Sequence, residues 1–293
     1  MASFLSSIRY LLADFIGEDD DAPPLLPEGL PESAVQVVSD GIHLLMDYQS
    51  ASYAQLYVDR VRRFVGRREV DDAMLVEIAR LMAIRMSYED PIRIAQLKLA
   101  AFESGAGDPR ERSTDDVAKF RIDELIGALP AVAADPVLAV LEKLGWTHKP
   151  VSIRFSTASQ WGIRRLKIEA SLRRWRRFSV RYAKERAWTE RWLHMISRCL
   201  EKQPRAAFAM VQTADMIEGY GDAYRQGVAD WHAIIDGLAK PTFDGALPLT
   251  DLAAAVAEAR AAATPDPRQV ALKCTIATIR ARALSTSANA AAG

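Results

Sequence analysis

The sequence predicts an all-α protein, a large helical domain built around one long, basic, tryptophan-rich helix. Over Ser159–Leu200 the apolar residues return at the spacing of one helical face, and no proline interrupts the run. Hydrophobic residues make up 49% of the 293 residues and charged residues 26%, which is typical of a folded globular chain. The one strand-like alternation is Val151–Phe155, which could equally be an extended loop. Helices are therefore expected to form nearly all of the core.

The first third of the chain is predicted to hold a linker and four helices. Met1–Phe15 has the pattern of a short amphipathic helix, and Gly17–Pro31 is an acidic, proline-rich linker that cannot hold a helix. Each later helix combines an apolar stripe with a cap, a first-turn proline or a terminal glycine. These helices run from Glu32 to Asp47, from Ser50 or Ser52 to Gly66, from Asp71 to Met86, and from Pro91, capped by Asp90, to Phe102.

The remaining segments are predicted from the same signals. Ser104–Arg112 is expected to be a mobile polar loop. Helices are expected over Thr114–Leu129, from Asp135-Pro136 to Gly145, over Ala206–Glu218, over Ala223–Leu238 with Asp222 as its cap, and over the alanine-rich Leu252–Ala263 and Arg268–Leu284. The predicted organisation is an N-terminal helix and linker (residues 1–31), a helical domain (32–240), and alanine-rich helices with a frayed tail (241–293).

Four arginines and a tryptophan cluster in the middle of the predicted long helix: Arg173, Arg174, Trp175, Arg176 and Arg177. They fit an anion-binding face, in which arginines neutralise the phosphates of nucleic acid or coenzyme A. They also fit an exposed face that meets acidic residues of a neighbouring subunit. Because Lys+Arg and Asp+Glu balance at 38 each, nucleic acid is the less favoured partner.

Four residues form a second candidate feature, the turn Gly219, Tyr220, Gly221 and Asp222. Glycines that end one helix and let the next begin explain this turn fully.

The sequence contains no Gly-x-Gly-x-x-Gly and no Walker loop, so no nucleotide-binding fold is predicted. The four histidines are scattered without the spacing of a metal site, and no serine or cysteine has a nucleophile-elbow pattern. We therefore predict no catalytic residue and no metal site.

Two cysteines, Cys199 and Cys274, lie far apart, which excludes a disulfide framework and a four-cysteine iron–sulfur site within the chain. The segment Phe4–Phe15 is too short and too polar to span a membrane, and no cleavage-site pattern follows it. These observations favour a cytoplasmic protein. The oligomeric state is left open, and a homo-oligomer is compatible with the sequence.

Four blocks of the sequence together resemble the C-terminal part of the beta-subunit-like proteins of the indolepyruvate oxidoreductase family. They keep the order of that family and cover residues 40–237. The blocks are Leu45–Gln49 with Ala54–Arg60, Met86–Ala95 with Lys98, Leu172–Arg177, and Glu218–Gly227. The resemblance draws attention to three turns, which hold Tyr48, then Tyr88 with Glu89 and Asp90, and then Tyr220.

The resemblance implies a 2-keto acid oxidoreductase system that converts indolepyruvate and other arylpyruvates to the acyl-coenzyme A and passes electrons to ferredoxin. The family uses thiamine diphosphate and iron–sulfur clusters, and these cofactors are expected in partner domains or subunits because this chain has no residues that match their ligands. The Rossmann-like domain of the family is also missing before Pro31. The chain is thus expected to be a helical accessory region, inactive by itself, that organises subunit contacts with a catalytic subunit.

Overall fold

A computed structural model describes residues 22–104, 115–128, 131–147, 149–157 and 160–292. Helices make up most of these residues, and their one sheet has two strands, so the predicted all-α class is confirmed. The predicted helix over Met1–Phe15 and most of the predicted mobile loop, residues 105–112, lie outside the described residues. Within those ranges, no helix combines the length and the apolar character that a membrane span requires.

The described residues divide into two compact units, which we name after their central aromatic residues. The tyrosine unit contains residues 22–24, Ile42–Leu56 and Met86–Ala187. The tryptophan unit contains Leu25–Gly41, Tyr57–Arg85 and residues 188–292. Each unit is therefore assembled from separate stretches of the chain.

The first four helices confirm the predicted pattern of caps and apolar stripes. They are α1 (Glu32–Tyr48), α2 (Ala51–Arg62), α3 (Asp72–Met86) and α4 (Pro91–Glu103). The Asp71 carboxylate accepts a hydrogen bond from the Met74 N–H at 2.8 Å, and Asp90 accepts one from the Arg93 N–H at 2.7 Å. These caps satisfy backbone donors that a helix leaves unpaired at its start.

A two-stranded antiparallel sheet lies in the tyrosine unit, and it corrects one predicted helix. Strand β1 (Asp115–Arg121) pairs with β2 (Pro150–Ser156), so Val151–Phe155, for which the sequence left a strand and an extended loop open, is a strand. The helix predicted over Thr114–Leu129 is wrong in its first half, because Phe120 alternates with exposed Val117 and is buried on the sheet. Helices α5 (Ile122–Gly127) and α6 (Ala131–Lys143) connect the strands, and Pro136 lies inside α6 rather than at its start.

The single long helix predicted over Ser159–Leu200 is also wrong, because it is interrupted. Helix α7 (Gln160–Ser171) passes into a 3-10 segment (Leu172–Phe178), and helix α8 (Val180–Lys202) starts anew. Ser179 between them is extended, with φ −72° and ψ 147°, and its hydroxyl caps α8 by accepting from the Tyr182 N–H at 3.0 Å. The tryptophans of the predicted helix therefore differ in burial: Trp161 is 78% exposed, whereas Trp188 and Trp192 are buried.

The last third of the chain belongs to the tryptophan unit and is entirely helical or turn-like in the described residues. In chain order it comprises a 3-10 turn (Pro204–Ala206), α9 (Ala207–Gln212), a second 3-10 turn (Thr213–Met216), α10 (Gly221–Ile234), a π-helical turn (Ile235–Ala239), α11 (Lys240–Phe243), α12 (Leu252–Ala261) and α13 (Val270–Ala292). The predicted alanine-rich helices are thus present. The predicted Ala206–Glu218 helix is shorter, because 3-10 turns flank it.

Candidate functional site

The centre of the tyrosine unit is a buried group of four residues, which we call the tyrosine–arginine cluster: Tyr48, Tyr88, Asp90 and Arg176. Tyr48 is the last residue of α1, and Tyr88 and Asp90 lie in the corner between α3 and α4. Arg176 comes from the 3-10 segment that follows α7. Tyr48 is 0% exposed and Arg176 is 1% exposed, so the cluster lies inside the unit and not on its surface.

Arg176 binds the two other parts of the cluster, which are the end of α1 at Tyr48 and the corner that contains Asp90. Its Nε donates to Asp90 Oδ2 at 2.7 Å and its Nη2 donates to Asp90 Oδ1 at 3.0 Å, which is a bidentate ion pair. Its Nη1 donates to the Tyr48 carbonyl oxygen at 2.6 Å, and the guanidinium carbon lies 3.8 Å from the centre of the Tyr48 ring. One side chain thus holds three stretches of chain together.

Burial determines the charge states in the cluster. Burial raises the pKa of the Tyr48 hydroxyl well above its usual range, although Arg176 opposes the shift. Burial, followed by the charge of Asp90, raises the pKa of Tyr88 in the same direction. Burial by itself would lower the pKa of Arg176. The electrostatic interactions with Tyr48 and Asp90 raise this pKa by more, so the net shift of the pKa is upward. The cluster therefore contains one ion pair and two neutral phenols at neutral pH.

The two phenol hydroxyls differ from the rest of the cluster in their hydrogen bonding. Neither the Tyr48 nor the Tyr88 hydroxyl has a hydrogen-bond partner among the described residues, and both are buried. The rings meet edge to face with centroids 5.7 Å apart, and Tyr53 lies 6.0 Å from Tyr48. By contrast, the Tyr53 hydroxyl donates to the Met86 carbonyl oxygen at 2.9 Å.

The space beside the cluster is too small for a substrate. A cavity of about 10 Å³ is lined by Glu89, Asp90, Arg176 and Arg181 among others. A cavity of that size has room for about one water molecule. The arrangement can therefore hold three chain segments in fixed positions, and this cavity between described residues has no space for a reacting molecule.

The structure brings together only some of the residues that the sequence singled out. Tyr48, Tyr88, Asp90 and Arg176 meet in the cluster, and Glu89 is exposed at its edge. The guanidinium carbon of Arg177 lies 4.8 Å from the centre of the Phe178 ring, and Arg173 is half-buried. Arg174 and Trp175 belong to the 3-10 segment, but their side chains are not among those described. The predicted basic face is thus divided, with its central arginine facing inward.

The Gly219–Asp222 turn belongs to the tryptophan unit and acts as a connection between helices. Gly219 and Gly221 have φ values of 64° and 65°, a conformation that glycine adopts most readily. The prediction that Asp222 caps the next helix is wrong: Tyr220 occupies the cap position, and Asp222 lies in the first turn and pairs with Arg225. The left-handed conformation of Gly221 moves the helix start before the aspartate.

Comparison with known proteins assigns the chain to a family. The matching family model, a family of unknown function (DUF6537), covers residues 34–237. The chain belongs to the DUF6537 family. No curated protein and no solved structure matches the chain significantly.

The DUF6537 region also contains a second aromatic centre that sequence reasoning did not single out as a site. In this tryptophan cluster, Trp188 lies 6.0 Å from Trp192 and 5.1 Å from Trp231 between ring centres. The Trp231 indole N–H donates to the Thr213 hydroxyl at 3.0 Å. Buried Arg85 lies over Trp188, with its guanidinium carbon 5.0 Å from the ring centre, and it donates to the Ile217 carbonyl oxygen at 3.0 Å.

An ion-pair group between the end of α2 and α8 was likewise missed. Arg60 and Arg63 both contact the Glu190 carboxylate, at 2.9 Å and 2.8 Å. Burial alone would raise the pKa of Glu190, but the two arginines lower it overall. The only local signal for this group was the spacing of Arg60 and Arg63 near the end of α2, and Glu190 is 130 positions away from Arg60.

Proposed function

We propose that this chain is the non-catalytic, subunit-organising region of an oxidoreductase that converts arylpyruvate to an acyl-coenzyme A. The proposal begins from the resemblance to indolepyruvate oxidoreductase beta-like proteins. The residues that resemble that family, 40–237, coincide closely with the 34–237 range of the DUF6537 match. The description of DUF6537 assigns no activity, so the reaction itself rests on the resemblance.

One observation carries the structural part of the proposal, namely an uncovered apolar stripe on α6. Ala134, Leu138 and Leu141 face the unit, whereas Val137, Val140 and Leu144 are exposed. The exposed three are spaced three and four positions apart and so share one side of the helix. Val140 is 56% exposed, and Trp146 extends the stripe beyond the helix. Contiguous apolar surface of this kind is characteristic of protein interaction sites.

The tyrosine–arginine cluster supports the same function from the inside of the unit. Three of the four blocks that carry the resemblance contribute to it, through Tyr48, through Tyr88 with Asp90, and through Arg176. The cluster has no room for a substrate, and the ion pair is buried. These residues therefore act in packing, which is the role expected of a region that positions a partner.

The chemistry is assigned to the partner. Among the described residues, no three His, Cys, Asp or Glu side chains are grouped so that they could hold a metal ion, and Cys199 and Cys274 are both free thiols. This donor set does not fit an iron–sulfur cluster. In this proposal, as the resemblance implies, thiamine diphosphate and the iron–sulfur clusters belong to the catalytic subunit, and ferredoxin is the electron acceptor.

The test is reconstitution with a catalytic indolepyruvate oxidoreductase subunit from the same organism. Association is measured by sedimentation velocity, and activity by arylpyruvate-dependent reduction of ferredoxin. We expect no turnover by the isolated chain and recovery of turnover on mixing. The double substitution Val140→Glu with Leu144→Glu places two charges on the stripe and should weaken association at least about tenfold.

The control is Ala139→Glu, which adds one such charge to an exposed position on another side of α6, away from the stripe. It should leave both association and turnover unchanged. Failure of the chain to associate with the catalytic subunit would contradict the proposal. If the stripe and control substitutions weaken association equally, α6 is not part of the interface.

A further inference from the structure

A further candidate binding site lies in the tryptophan unit. It is an open groove of about 640 Å³ between α10, α12 and the 3-10 turn Thr213–Met216. Three carboxylates line it, Asp215, Glu218 and Asp230, together with one guanidinium, Arg260. Asp215 is already paired with Arg80 at 3.3 Å, so two carboxylates are left to act on a ligand.

Asp230 is the unusual member of this set. It is 5% exposed, yet it forms no ion pair with any described residue, and its neighbours are neutral amides. The side-chain amides of Gln226 and Gln269 donate to the same oxygen, Oδ1, at 2.8 Å and 2.7 Å. The second oxygen, Oδ2, accepts no hydrogen bond within the described ranges. A buried carboxylate normally has a cationic partner, and this one lines the groove without one.

A strained residue holds one of the two amides in place. Gln269 has φ 57°, and no other non-glycine residue in the described part of the chain has a positive φ. The loop before it is held by Asp266, whose carboxylate accepts from the N–H groups of Arg268 and Val270 at 2.9 Å and 3.0 Å. Backbone strain of this kind persists where surrounding contacts impose it, and it is common at ligand sites. Here it directs an amide donor to the Asp230 carboxylate.

Small side chains form part of the walls of the groove, beside larger ones such as Met216 and Gln226. A Cβ at Gly227 would lie 2.1 Å from the Met216 carbonyl oxygen, so only glycine allows α10 to approach this turn. Ala257 and Ala261 on α12 form the other wall. Burial lowers the pKa of Arg260. Its Nη1 donates to the Gln212 side chain at 3.0 Å, whereas its Nε has no hydrogen-bond partner among the described residues. The walls suit a slender aliphatic chain.

We propose that this groove binds an aliphatic amine, with an ammonium group against Asp230 Oδ2. The ammonium would supply the missing cation, and the methylene groups would lie along the alanine and glycine wall. Exposed Glu218 at the rim would receive a second ammonium, so a diamine should bind more tightly than a monoamine. This site is distinct from the α6 stripe and does not depend on the proposed subunit role.

The experiment is isothermal titration calorimetry of the full chain with 1,4-diaminobutane, butylamine and 1-butanol. We expect the diamine to bind best, the monoamine more weakly and the alcohol not at all. Asp230→Asn retains the shape of the side chain and removes its charge, and it should weaken diamine binding about tenfold to a hundredfold. Glu218→Gln should weaken the diamine and leave the monoamine unchanged. Ala257→Trp, which fills the groove from an exposed helix position, should abolish binding.

The matched control is Asp222→Asn, on the same helix but at an exposed carboxylate paired with Arg225. It should bind the diamine like the unmodified chain. Thermal melting verifies that every variant is folded, and Asp230→Asn should melt no lower than the unmodified chain, since it removes a buried unpaired charge. The proposal is overturned if no amine binds at millimolar concentration, if Asp230→Asn and Asp222→Asn bind equally, or if Mg²⁺ binds and amines do not.

Discussion

The tyrosine–arginine cluster and the tryptophan cluster are both buried aromatic centres, but different interactions hold them together. Each unit gathers aromatic rings around a buried arginine, Arg176 in one and Arg85 in the other. Arg176 is neutralised by Asp90 in a bidentate pair, whereas Arg85 lies over the faces of Trp188 and Tyr224 and donates to a backbone carbonyl. The first centre depends on a buried charge pair, and the second on large apolar surfaces.

Both centres contain buried polar atoms without a hydrogen-bond partner among the described residues, and in the tryptophan cluster this atom is the Trp188 indole nitrogen. The indole N–H groups of Trp192 and Trp231 both donate, to the Met210 carbonyl oxygen at 3.2 Å and to the Thr213 hydroxyl at 3.0 Å. In the tyrosine–arginine cluster, the Tyr48 and Tyr88 hydroxyls have no hydrogen-bond partner among the described residues. Within the tyrosine–arginine cluster, removal of a charge should therefore be costly, whereas removal of an unpartnered hydroxyl should not.

The largest expected effect comes from breaking the charge pair. Arg176→Met leaves the Asp90 carboxylate buried without its cation, so the free energy of unfolding should fall by about 3–5 kcal/mol. Urea titration followed by tryptophan fluorescence measures this loss. Arg62→Met is the control, because the Arg62–Asp59 pair is a surface contact on one helix and its removal should change stability by less than about 0.5 kcal/mol.

Adding Asp90→Asn to Arg176→Met tests the cause. Asparagine still caps α4 but carries no charge, so the double variant should regain part of the stability that the single variant loses. If Arg176→Met and Arg62→Met lose the same amount, or if the double variant is no more stable than Arg176→Met, the buried charge is not what holds this centre together.

The same pair shows why part of the fold could be predicted from the sequence and part could not. The helices up to α4 are encoded locally, by caps such as Asp71 and Asp90 and by apolar stripes. The break between α7 and α8 is not, because Arg176 leaves the helical path to reach Asp90, which is 86 positions earlier. Strand β1 likewise depends on pairing with β2, and its own residues alone indicated a helix.

The candidate sites follow the same rule. Tyr48, Tyr88, Asp90 and Arg176 were each singled out, but nothing in their spacing indicated that they meet. The groove around Asp230 was missed altogether, since a single aspartate on an amphipathic helix gives no local signal. Its character comes from burial and from Gln269, which is 39 positions away. Sequence reasoning therefore found residues with unusual local context, and it could not find sites that long-range packing creates.

A smaller effect is expected in the tryptophan cluster. Trp231→Phe removes the hydrogen bond to Thr213 and part of the contact with Trp188, so stability should fall by about 2 kcal/mol. The control is Trp161→Phe, at a residue that is 78% exposed, which should change stability by less than about 0.5 kcal/mol. Urea titration followed by far-ultraviolet circular dichroism makes the comparison independent of the substituted fluorophore. Equal losses would mean that Trp231 contributes no more than a surface residue.

The smallest change in stability at neutral pH should come from Tyr88→Phe. This variant tests most directly whether an unpartnered hydroxyl in the cluster contributes to stability. The Tyr88 hydroxyl has no hydrogen-bond partner within the described residues, so its removal should change stability by less than about 0.5 kcal/mol. Tyr53→Phe is the matched control in the same unit, and it should cost about 1 kcal/mol because it leaves the Met86 carbonyl without its donor. Equal losses from the two variants would contradict this difference.

At alkaline pH, Tyr88→Phe should reduce the loss of stability that ionisation of tyrosine causes. Burial raises the pKa of Tyr88 in the folded chain, whereas an unfolded tyrosine loses its proton near pH 10. Above that pH the unfolded state binds fewer protons than the folded state, so stability falls by up to about 1.4 kcal/mol per pH unit for each such tyrosine. Tyr88→Phe removes one of these contributions. Urea titrations between pH 9 and pH 11 should therefore show a shallower loss in Tyr88→Phe than in the unmodified chain, and identical slopes would mean that Tyr88 ionises as freely in the folded state as in the unfolded one.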